Sequence, residues 1–396
     1  MRIVFIAPFG LRPKGTVLAR MVPLAARLKE LGQQVTIVAP PYTNPEDSGR
    51  TETVNGVEIR NIILGPGNRV VAALVLGRRL FGGAMAEKPD IVHLFKPKGY
   101  GGVAAFVHLL LRRLGRRLPP LFVDVDDWEG AGGMNEELPY SRVERMVFSL
   151  QEEWLQRRAT GITAASRTLF NRAHAMGIPP ERLLYLPNCV DDVHPGDGSG
   201  VRERLGIPKD APVLLLYTRF FEFEQERLRL LMADIHRRLP AVRFLVVGKG
   251  RKGEETELAG AAQALGFAPA LHLAGWLEPS EIYDYLAAGD VAIYPFSDTL
   301  VNRAKCPAKL TEILRAGVPV VADNVGQIAE YLDGGRTGIL CDPEKRREMA
   351  DQAVALLRDP EKRRALGEAG RRHLLENFRW SEFAGKLLEF YETASR

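Results

Sequence analysis

Three aspartates, a tryptophan and a glutamate follow an apolar run in the segment LFVDVDDWEG, residues 121–130. Like charges repel one another, and burying an unpaired charge is costly, so such a cluster is tolerated in a functional site or on a solvated turn. In an extended strand Asp124 and Asp126 share one face, whereas Asp127 points away. Nearby like charges raise a carboxylate pKa toward neutral, where it can accept a proton from a hydroxyl group. The segment therefore contains candidates for a general base.

Two other interpretations of this segment stay open. Asp126 or Asp127 could cap the next helix while the other carboxylates meet solvent. Alternatively, Asp124-Val125-Asp126 could hold Mg²⁺ or Mn²⁺ beside a phosphate group. We predict no metal site. His93, in PDIVHLFKPKG, also ends an apolar run and is a candidate for substrate contact or for a satisfied structural histidine.

A second cluster of residues that could bind a ligand lies in residues 290–332. Asp290 to Phe296 reads as a strand, Pro307 suits the first turn of a helix, and Gly317 ends that helix. Free N–H groups at a helix N-terminus bind anions.

The cations Arg303, Lys305 and Lys309 surround this helix start. Positive charge there opposes the helix macrodipole unless an anion is bound, and a diphosphate would remove the conflict. Glu312, one turn further on, could accept hydrogen bonds from ribose hydroxyls. The alternative is an ordinary basic, solvated helix start.

The elements that position both clusters alternate between short apolar runs and helical patterns, which indicates parallel strands with crossover helices. We predict two Rossmann-like, doubly wound α/β domains facing a cleft, with ligands at the carboxyl ends of the strands. A Pro-, Gly- and Asp-rich segment, LPNCVDDVHPGDGSG, separates them. The predicted divisions are 1–187 for an N-terminal domain, 188–373 for a C-terminal domain, and 374–396 for a last helix.

Composition narrows the class of protein. The chain has 396 residues, of which 46% are hydrophobic and 26% charged, as in soluble globular proteins. Its three cysteines are far apart and predict neither a disulfide framework nor a metal site, which fits a reducing cytoplasm. The first apolar run is short and ends at Pro8, so we expect a strand there and no secretion signal.

The net charge of +5 is unevenly placed. Residues 68–118 contain ten basic and two acidic side chains, and Arg112, Arg113, Arg116 and Arg117 follow the apolar run VAAFVHLLL. Basic amphipathic helices bind anionic membrane surfaces, so we expect a peripheral contact with the membrane here. The alternative is a core-packed helix with a solvated basic end. Nucleic acid is not expected, because no groove-reading motif or aromatic–basic platform appears. Trp154, His236 and His272 are expected to be structural.

Several segments resemble glycosyltransferase family 4 and related enzymes of the GT-B fold. KLTEILRAGVPVVADNVGQIAEYL resembles the donor-site segment of that family, LPNCVDD its interdomain motif, and LLLYTRF and VRFLVVGKG the first strands of its donor domain. LHLAGWLEPSEIYDYLAAGDVAIYP and the last helix, FRWSEFAGKLLEFYE, also match. The resemblance covers nearly the whole chain and is strongest for residues 185–340.

The resemblance implies that residues 1–187 form an acceptor-side domain and that the helix in 374–396 returns to it. It also implies that residues 188–373 form a nucleotide-sugar domain with a donor site. It places Arg219 on the diphosphate, Glu312 on the ribose, and Trp276 and Leu277 near the base. Gly15 would approach the phosphates. Further donor-side positions are Gly248 in the matched strand segment, and Lys305 and Lys309, either of which could replace a family lysine that is absent here. The first glutamate of the E-x7-E motif is also absent, because Ala304 stands in its place.

On the acceptor side, the resemblance puts Asp126 where the family keeps a catalytic histidine. We therefore predict Asp126 and Asp127 as catalytic, with Asp124, Trp128 and His93 on the acceptor side. The D-x-D metal motif belongs to the other major transferase fold.

The expected function is transfer of a sugar from a nucleotide sugar, such as a UDP- or GDP-sugar, to a hydroxyl of a glycan or lipid-linked acceptor. No cofactor is expected. The expected location is the cytoplasm or the inner face of the membrane. The alternatives are a GT-B partner subunit or sugar-nucleotide sensor that has lost catalysis, and a GT-B epimerase or phosphorylase. The donor segment resembles retaining enzymes, whereas a carboxylate base suits inversion.

Overall fold

The computed structural model describes residues 1–12, 15–65 and 69–395, without the side chains of residues 69 and 70. Contacts divide the chain into two compact units. The first contains Met1–Cys189, Ala304–Cys306 and Trp380–Arg396, and the second contains Val190–Arg303 and Pro307–Arg379. The sequence placed the divisions after residues 187 and 373 and did not predict the excursion of residues 304–306 into the first unit.

The first unit is built on an eight-stranded sheet with the order β3-β4-β2-β1-β5-β6-β7-β8, in which β3–β4 is the antiparallel pair. A π-helix, Val17–Met21, leads into the first α-helix. The strands are β1 Arg2–Ile6, β2 Gln34–Ala39, β3 Thr51–Val54, β4 Val57–Asn61, β5 Ile91–Phe95, β6 Leu121–Val125, β7 Gly161–Ala164 and β8 Leu183–Tyr185, and the helices are α1 Val22–Glu30, α2 Arg69–Ala86, α3 Gly99–Arg113, α4 Met134–Glu137, α5 Arg142–Arg158 and α6 Arg167–Ala175.

The second unit has a six-stranded parallel sheet with the order β11-β10-β9-β12-β13-β14. Its strands are β9 Val213–Tyr217, β10 Arg243–Val247, β11 Leu271–Gly275, β12 Val291–Tyr294, β13 Val320–Asp323 and β14 Ile339–Cys341, and the helices are α7 Ser199–Arg204, α8 Gln225–Arg238, α9 Glu254–Leu265, α10 Ile282–Ala287, α11 Leu300–Ala304, α12 Ala308–Arg315, α13 Ile328–Tyr331, α14 Glu348–Leu357 and α15 Pro360–Asn377. The predicted pair of doubly wound α/β domains is confirmed.

The last helix, α16 Trp380–Ala394, belongs to the first unit and packs against α1. Its Tyr391 is fully buried and lies 4.7 Å, centroid to centroid, from the ring of Phe122 in β6. Aromatic burial of this kind contributes strongly to a domain core, so the end of the chain completes the first unit.

The central strands of the first unit are buried on both faces, as expected where helices cover both sides of a parallel sheet. All five residues of β5 and all five of β6 are buried. No helix in the described ranges is both long enough and apolar enough to cross a membrane.

A buried ion pair fixes the carboxyl end of β6. The guanidinium of Arg20, from the π-helix, donates from Nε to Asp124 Oδ1 at 2.9 Å and from Nη2 to Oδ2 at 2.6 Å. Both side chains are at most 1% exposed. Burial opposes ionisation of Arg20, but attraction to Asp124 outweighs it and raises the pKa of Arg20 above its usual value. Thr163 of β7 donates a further bond to Asp124 at 2.5 Å.

We expect Arg20→Met to destabilise the first unit by about 3–5 kcal/mol, because it leaves the Asp124 carboxylate buried without its counter-ion. Chemical denaturation followed by far-UV circular dichroism measures this. Arg27→Met, which removes the more exposed Arg27–Glu30 pair of α1, is the matched control and should cost about 1 kcal/mol or less. An equal loss for the two variants would show that the buried pair has no special role.

Candidate active site

The three aspartates that follow β6 have different environments. Asp124 lies inside the strand, is fully buried, and is held by Arg20 and Thr163. Asp126 and Asp127 follow the strand, and their side chains are 12% and 24% exposed. Asp124 is therefore occupied within its own unit, and its acceptor-side role stays a prediction.

One lysine from the neighbouring strand joins the carboxylates. Lys96 directly follows β5, which pairs in parallel with β6, and its N–H donates to the Asp124 carbonyl at 3.0 Å. Its ammonium group lies 2.9 Å from Asp126 Oδ1, donates to Asp127, and lies 3.7 Å from Glu129 Oε1. Parallel strands end at the same edge of a sheet, so two adjacent strands bring this charge cluster together.

Further contacts orient the cluster from other elements. Thr16, just before the π-helix, donates to Asp126 Oδ2 at 2.9 Å. Lys98 donates to Glu129 Oε2 at 2.5 Å. Lys96, Lys98, Thr16 and Glu129 were not predicted as site residues. The signal in the sequence was the KPK motif directly after a strand that neighbours the acidic one.

The pKa values of the two partly buried aspartates, Asp126 and Asp127, shift in opposite directions. Burial raises the pKa of Asp126 above its usual value, and Asp127 and Asp124 add to the effect against the opposing charge of Lys96. Burial would also raise the pKa of Asp127, but the charge of Lys96 and its hydrogen bond lower it. Two neighbouring carboxylates whose pKa values are pushed apart are a known arrangement for acid–base chemistry.

His93 and Trp128 are buried within their own unit. His93 is fully buried in β5, with its ring nitrogens 2.6 Å from the Tyr391 hydroxyl and 3.2 Å from Thr163 Oγ1. Burial, followed by the charge of Arg20, lowers its pKa well below the usual value. Trp128 is 3% exposed, donates to the Ala131 carbonyl at 2.8 Å, and has the Arg172 guanidinium 4.0 Å from its ring centroid. Both residues are therefore buried within the first unit, and their acceptor-side role stays a prediction.

The helix-cap interpretation of the aspartates is wrong. The next helix is α4, and its N-cap residue is Gly133. Among the described residues, no group of three or more His, Cys, Asp or Glu side chains is arranged to hold a metal ion.

In the second unit, the carboxyl end of β9 gathers predicted donor-side residues. Lys309, in the first turn of α12, lies with its ammonium group 3.3 Å from the ring centroid of Tyr217, the last residue of β9. Glu312 hydrogen-bonds Tyr217, and burial together with Glu312 raises the pKa of Tyr217 well above its usual value. Arg219 follows two residues after Tyr217 and is close enough to affect its ionisation. Lys309, Glu312 and Arg219 therefore share one neighbourhood.

Tyr217 was not predicted, although it stands inside the quoted LLLYTRF segment. It also lines a pocket at the ends of β9 and β12. Tyr294 and Phe296, which stack with ring centroids 5.1 Å apart, line the same pocket. The full lining is Leu216, Tyr217, Thr218, Glu222, Phe223, Tyr294, Pro295, Phe296 and Lys309.

Gly248 occupies a position that only glycine can take. Its φ is +114°, and a Cβ atom there would lie 2.0 Å from the Thr218 carbonyl oxygen. Its N–H donates to the Gly275 carbonyl at 2.8 Å, which brings the ends of β10 and β11 together. Trp276 and Leu277 follow Gly275, and Trp276 is 52% exposed. Its indole is available to a ligand.

The remaining donor-side residues lie in the first unit. Lys305 belongs to the excursion Ala304–Cys306, is 9% exposed, and contributes to lowering the pKa of Asp127. It therefore acts on the acidic cluster of the first unit. Gly15 accepts a hydrogen bond from the Ala19 N–H at 3.1 Å, and its neighbours Pro13 and Lys14 lie outside the described residues.

Solved structures of similar shape establish the fold. Sucrose-phosphate synthase from Thermosynechococcus elongatus superposes with a TM-score of 0.77 at 17% identity, covering 99% of this chain and 98% of its own. Anabaena HepE, solved in complex with UDP and glucose, gives a TM-score of 0.75 at 18% identity, covering 99% of this chain and all of its own. These likenesses show that the chain has the GT-B fold.

Two family models match the chain. The glycosyl transferases group 1 model matches residues 211–359, and the glycosyl transferase 4-like domain model matches residues 15–189. The chain belongs to the GT-B glycosyltransferases of the family 4 type, as the resemblance predicted.

Curated relatives match this chain over part of their own length. A GDP-mannose-dependent alpha-(1-6)-phosphatidylinositol monomannoside mannosyltransferase of Mycobacterium tuberculosis is 28% identical over 58% of this chain and 60% of its own length. A 2-deoxystreptamine glucosyltransferase of Streptomyces kanamyceticus is 27% identical over 63% of this chain and 65% of its own. The matched region thus spans less than two thirds of these relatives.

We expect Asp126→Asn to lower sugar transfer by about 10²–10⁴-fold, because the amide cannot accept the proton that a general base removes. The wild-type rate should fall as the pH drops through a pKa above that of an ordinary aspartate, because the base is inactive once protonated. This pH dependence should be absent from the variant. Transfer assays from pH 4 to 8 measure both effects.

The control for this experiment is Asp90→Asn, which changes a half-exposed carboxylate elsewhere in the first unit and should leave transfer unchanged. Nucleotide affinity should stay at the wild-type value in both variants. Normal turnover by Asp126→Asn would assign the DVDDWEG segment to structure alone.

Proposed function

We propose that this protein transfers a sugar from a nucleotide sugar to an acceptor hydroxyl. The observation that carries the proposal is the grouping of Arg219, Lys309 and Glu312 around Tyr217 at the carboxyl end of β9. Two cations beside a helix start suit a diphosphate, and a carboxylate one turn further on suits ribose hydroxyls. The mycobacterial relative named as GDP-mannose-dependent and the Anabaena structure with UDP support a nucleotide sugar as donor.

In the proposed reaction, the acceptor oxygen forms a bond to the anomeric carbon of the sugar while the bond from that carbon to the nucleoside diphosphate breaks. Asp126 takes the acceptor proton, and the diphosphate leaves with the electron pair of the broken bond. Arg219 and Lys309 stabilise the negative charge that develops on the leaving group. In this proposal the nucleotide sugar is a substrate, and no additional cofactor is needed.

A catalytically lost partner subunit or sensor is less well supported. Ala304 replaces the first glutamate of the E-x7-E motif, but the candidate base and the phosphate-side cations are present.

We expect Arg219→Ala to weaken nucleotide binding at least tenfold, because it removes a charge-assisted hydrogen bond to phosphate. Thermal shift measured against UDP, GDP and their sugar conjugates tests this, since a ligand that binds only the folded state raises its stability. Arg336→Ala, which removes an exposed arginine of the same unit, is the control and should keep wild-type affinity. Unchanged affinity of Arg219→Ala for every nucleotide would remove this residue from the site.

We further propose that the acceptor is a glycan or a lipid-linked molecule and that residues 68–118 contact an anionic membrane at the cytoplasmic face. Arg112 and Arg113 form the basic last turn of α3, and Arg116 and Arg117 follow that helix. All four are exposed, and none forms an ion pair with a described residue. The name of the mycobacterial relative includes a phosphatidylinositol acceptor, which supports a lipid-linked class.

We expect replacement of these four arginines by glutamine to reduce binding to anionic vesicles by about 10²–10³-fold at low salt, at about 1 kcal/mol for each basic residue. Vesicle co-sedimentation measures the binding. The matched control replaces the same four residues by lysine and should retain most of the binding. If the wild-type protein does not bind anionic vesicles at low salt, the proposed membrane contact is wrong.

A further inference from the structure

Helix α5 has a continuous apolar stripe on its solvent side. Val143, Met146, Val147, Leu150 and Trp154 are spaced three or four residues apart, which places them on one face. Each is between 38% and 65% exposed. Trp154 was expected to be structural, and its exposure corrects that expectation. A stripe of five large apolar side chains differs from the scattered single residues that are normal on a soluble surface.

The stripe continues onto α3, which packs against α5 in the same unit. The rings of Phe106 and Trp154 lie 5.5 Å apart, centroid to centroid. Phe106, Leu110 and Leu114 are spaced by four residues and are 45% to 71% exposed. We call the eight residues together the apolar face: Phe106, Leu110, Leu114, Val143, Met146, Val147, Leu150 and Trp154.

Arginines border the apolar face. Arg142 begins α5, and Arg157 and Arg158 end it, with the Arg158 guanidinium 5.9 Å from the Trp154 ring centroid. The four arginines at the end of α3 extend this border. Helix α3 contains no acidic residue. The carboxylates of α5 are Glu144, which caps the helix, Glu152, which is fully buried, and Glu153, which is exposed.

The charge of the border indicates the occupant. A second copy docked through the same face by a twofold axis would bring two sets of arginines together, and like charges oppose that contact. An anionic bilayer pairs with the arginines and accepts the apolar side chains at the boundary between headgroups and acyl chains. Tryptophan favours that boundary, and arginine can extend its guanidinium from it to the headgroups.

We propose that the apolar face inserts into the surface of an anionic lipid bilayer. This proposal extends the membrane contact proposed above and rests on it. It adds a hydrophobic contribution from α5, outside residues 68–118, to the electrostatic contribution of the α3 arginines. Electrostatic attraction weakens with salt, whereas apolar insertion persists, so the two contributions can be measured separately.

Trp154 provides the probe. Of the other three tryptophans, Trp128 and Trp380 are buried and Trp276 is exposed, so the full-length Trp276→Phe protein reports chiefly on Trp154. With vesicles of phosphatidylcholine and phosphatidylglycerol, we expect its emission to shift to shorter wavelength and to be quenched by lipids brominated on the acyl chains. An unchanged emission spectrum with the protein bound to vesicles would overturn the proposal.

The matched variants are Met146→Gln with Leu150→Gln, compared with Met146→Leu and Leu150→Met. We expect the glutamine pair to lower vesicle partitioning at least tenfold. The loss should remain at about 0.5 M salt, where charge is strongly screened. The apolar pair should bind like the wild type. Leu230→Gln with Leu265→Gln, on exposed positions of the second unit, should have no effect. Equal binding by the glutamine pair would overturn the proposal.

Two further measurements distinguish a failure of the apolar-face proposal from a failure of the proposed enzyme activity. Nucleotide thermal shift with the glutamine pair should match the wild type, so loss of nucleotide binding in the wild type would count against the proposed enzyme rather than against the apolar face. Sedimentation analysis identifies the competing occupant. A dimer that the glutamine pair dissociates, in a protein that does not bind vesicles, would assign the face to a second copy.

Discussion

The arrangement of the acidic cluster depends on the buried ion pair between Arg20 and Asp124. Both carboxylate oxygens of Asp124 are occupied, one by Arg20 and the other by Arg20 and Thr163. Arg20 also donates to the Leu186 carbonyl and to Asn188 Oδ1, at 2.7 and 3.2 Å. One guanidinium thus links the π-helix, the end of β6 and the segment after β8. A buried charge pair is stable only when its hydrogen-bonding groups are satisfied, and here they are.

This pair determines what the rest of the segment can do. Because Asp124 is neutralised internally, the charges presented after β6 are those of Asp126, Asp127 and Glu129. Lys96 lies among all three and cannot satisfy them equally. It donates a hydrogen bond to Asp127, which keeps that residue ionised, while the pKa of Asp126 rises. The opposite pKa shifts of these two neighbours therefore come from sharing one lysine among three carboxylates.

The sequence predicted the elements with the strongest apolar runs. β1, β2, β5, β6 and β9–β13 were recognised, because each is a short, mainly apolar run bounded by turns. β3, β4 and β8 lie at or near sheet edges, where polar or partly exposed positions interrupt the apolar run. β7 is only four residues long, and GITA has no distinctive pattern. Parallel topology follows from the alternation of elements, so the fold could be predicted without these strands.

The candidate site was predictable only in part. Asp126, Asp127, Arg219, Lys309 and Glu312 could be found because they stand at strand and helix ends in recognisable motifs. The partners Arg20 and Lys96 could not be found in this way. Arg20 sits on a helical pattern 104 residues before Asp124, and no local rule connects the two. Burial is likewise a tertiary property, so the burial of Trp128 and the exposure of Trp154 could not be found from the sequence.

Helix α5 joins the acidic cluster to the apolar face. Glu152 on its buried side accepts a hydrogen bond from Gln156 at 2.6 Å, and burial, with added repulsion from Glu129, raises its pKa well above the usual value. The opposite side of the same helix carries Met146, Leu150 and Trp154. A rigid helix with these two sides fixes the distance between a proposed bilayer contact and the carboxylates next to the candidate base. The helix that carries the proposed insertion thus also lies beside the carboxylate cluster, so membrane insertion and acceptor positioning would be consequences of the same packed element.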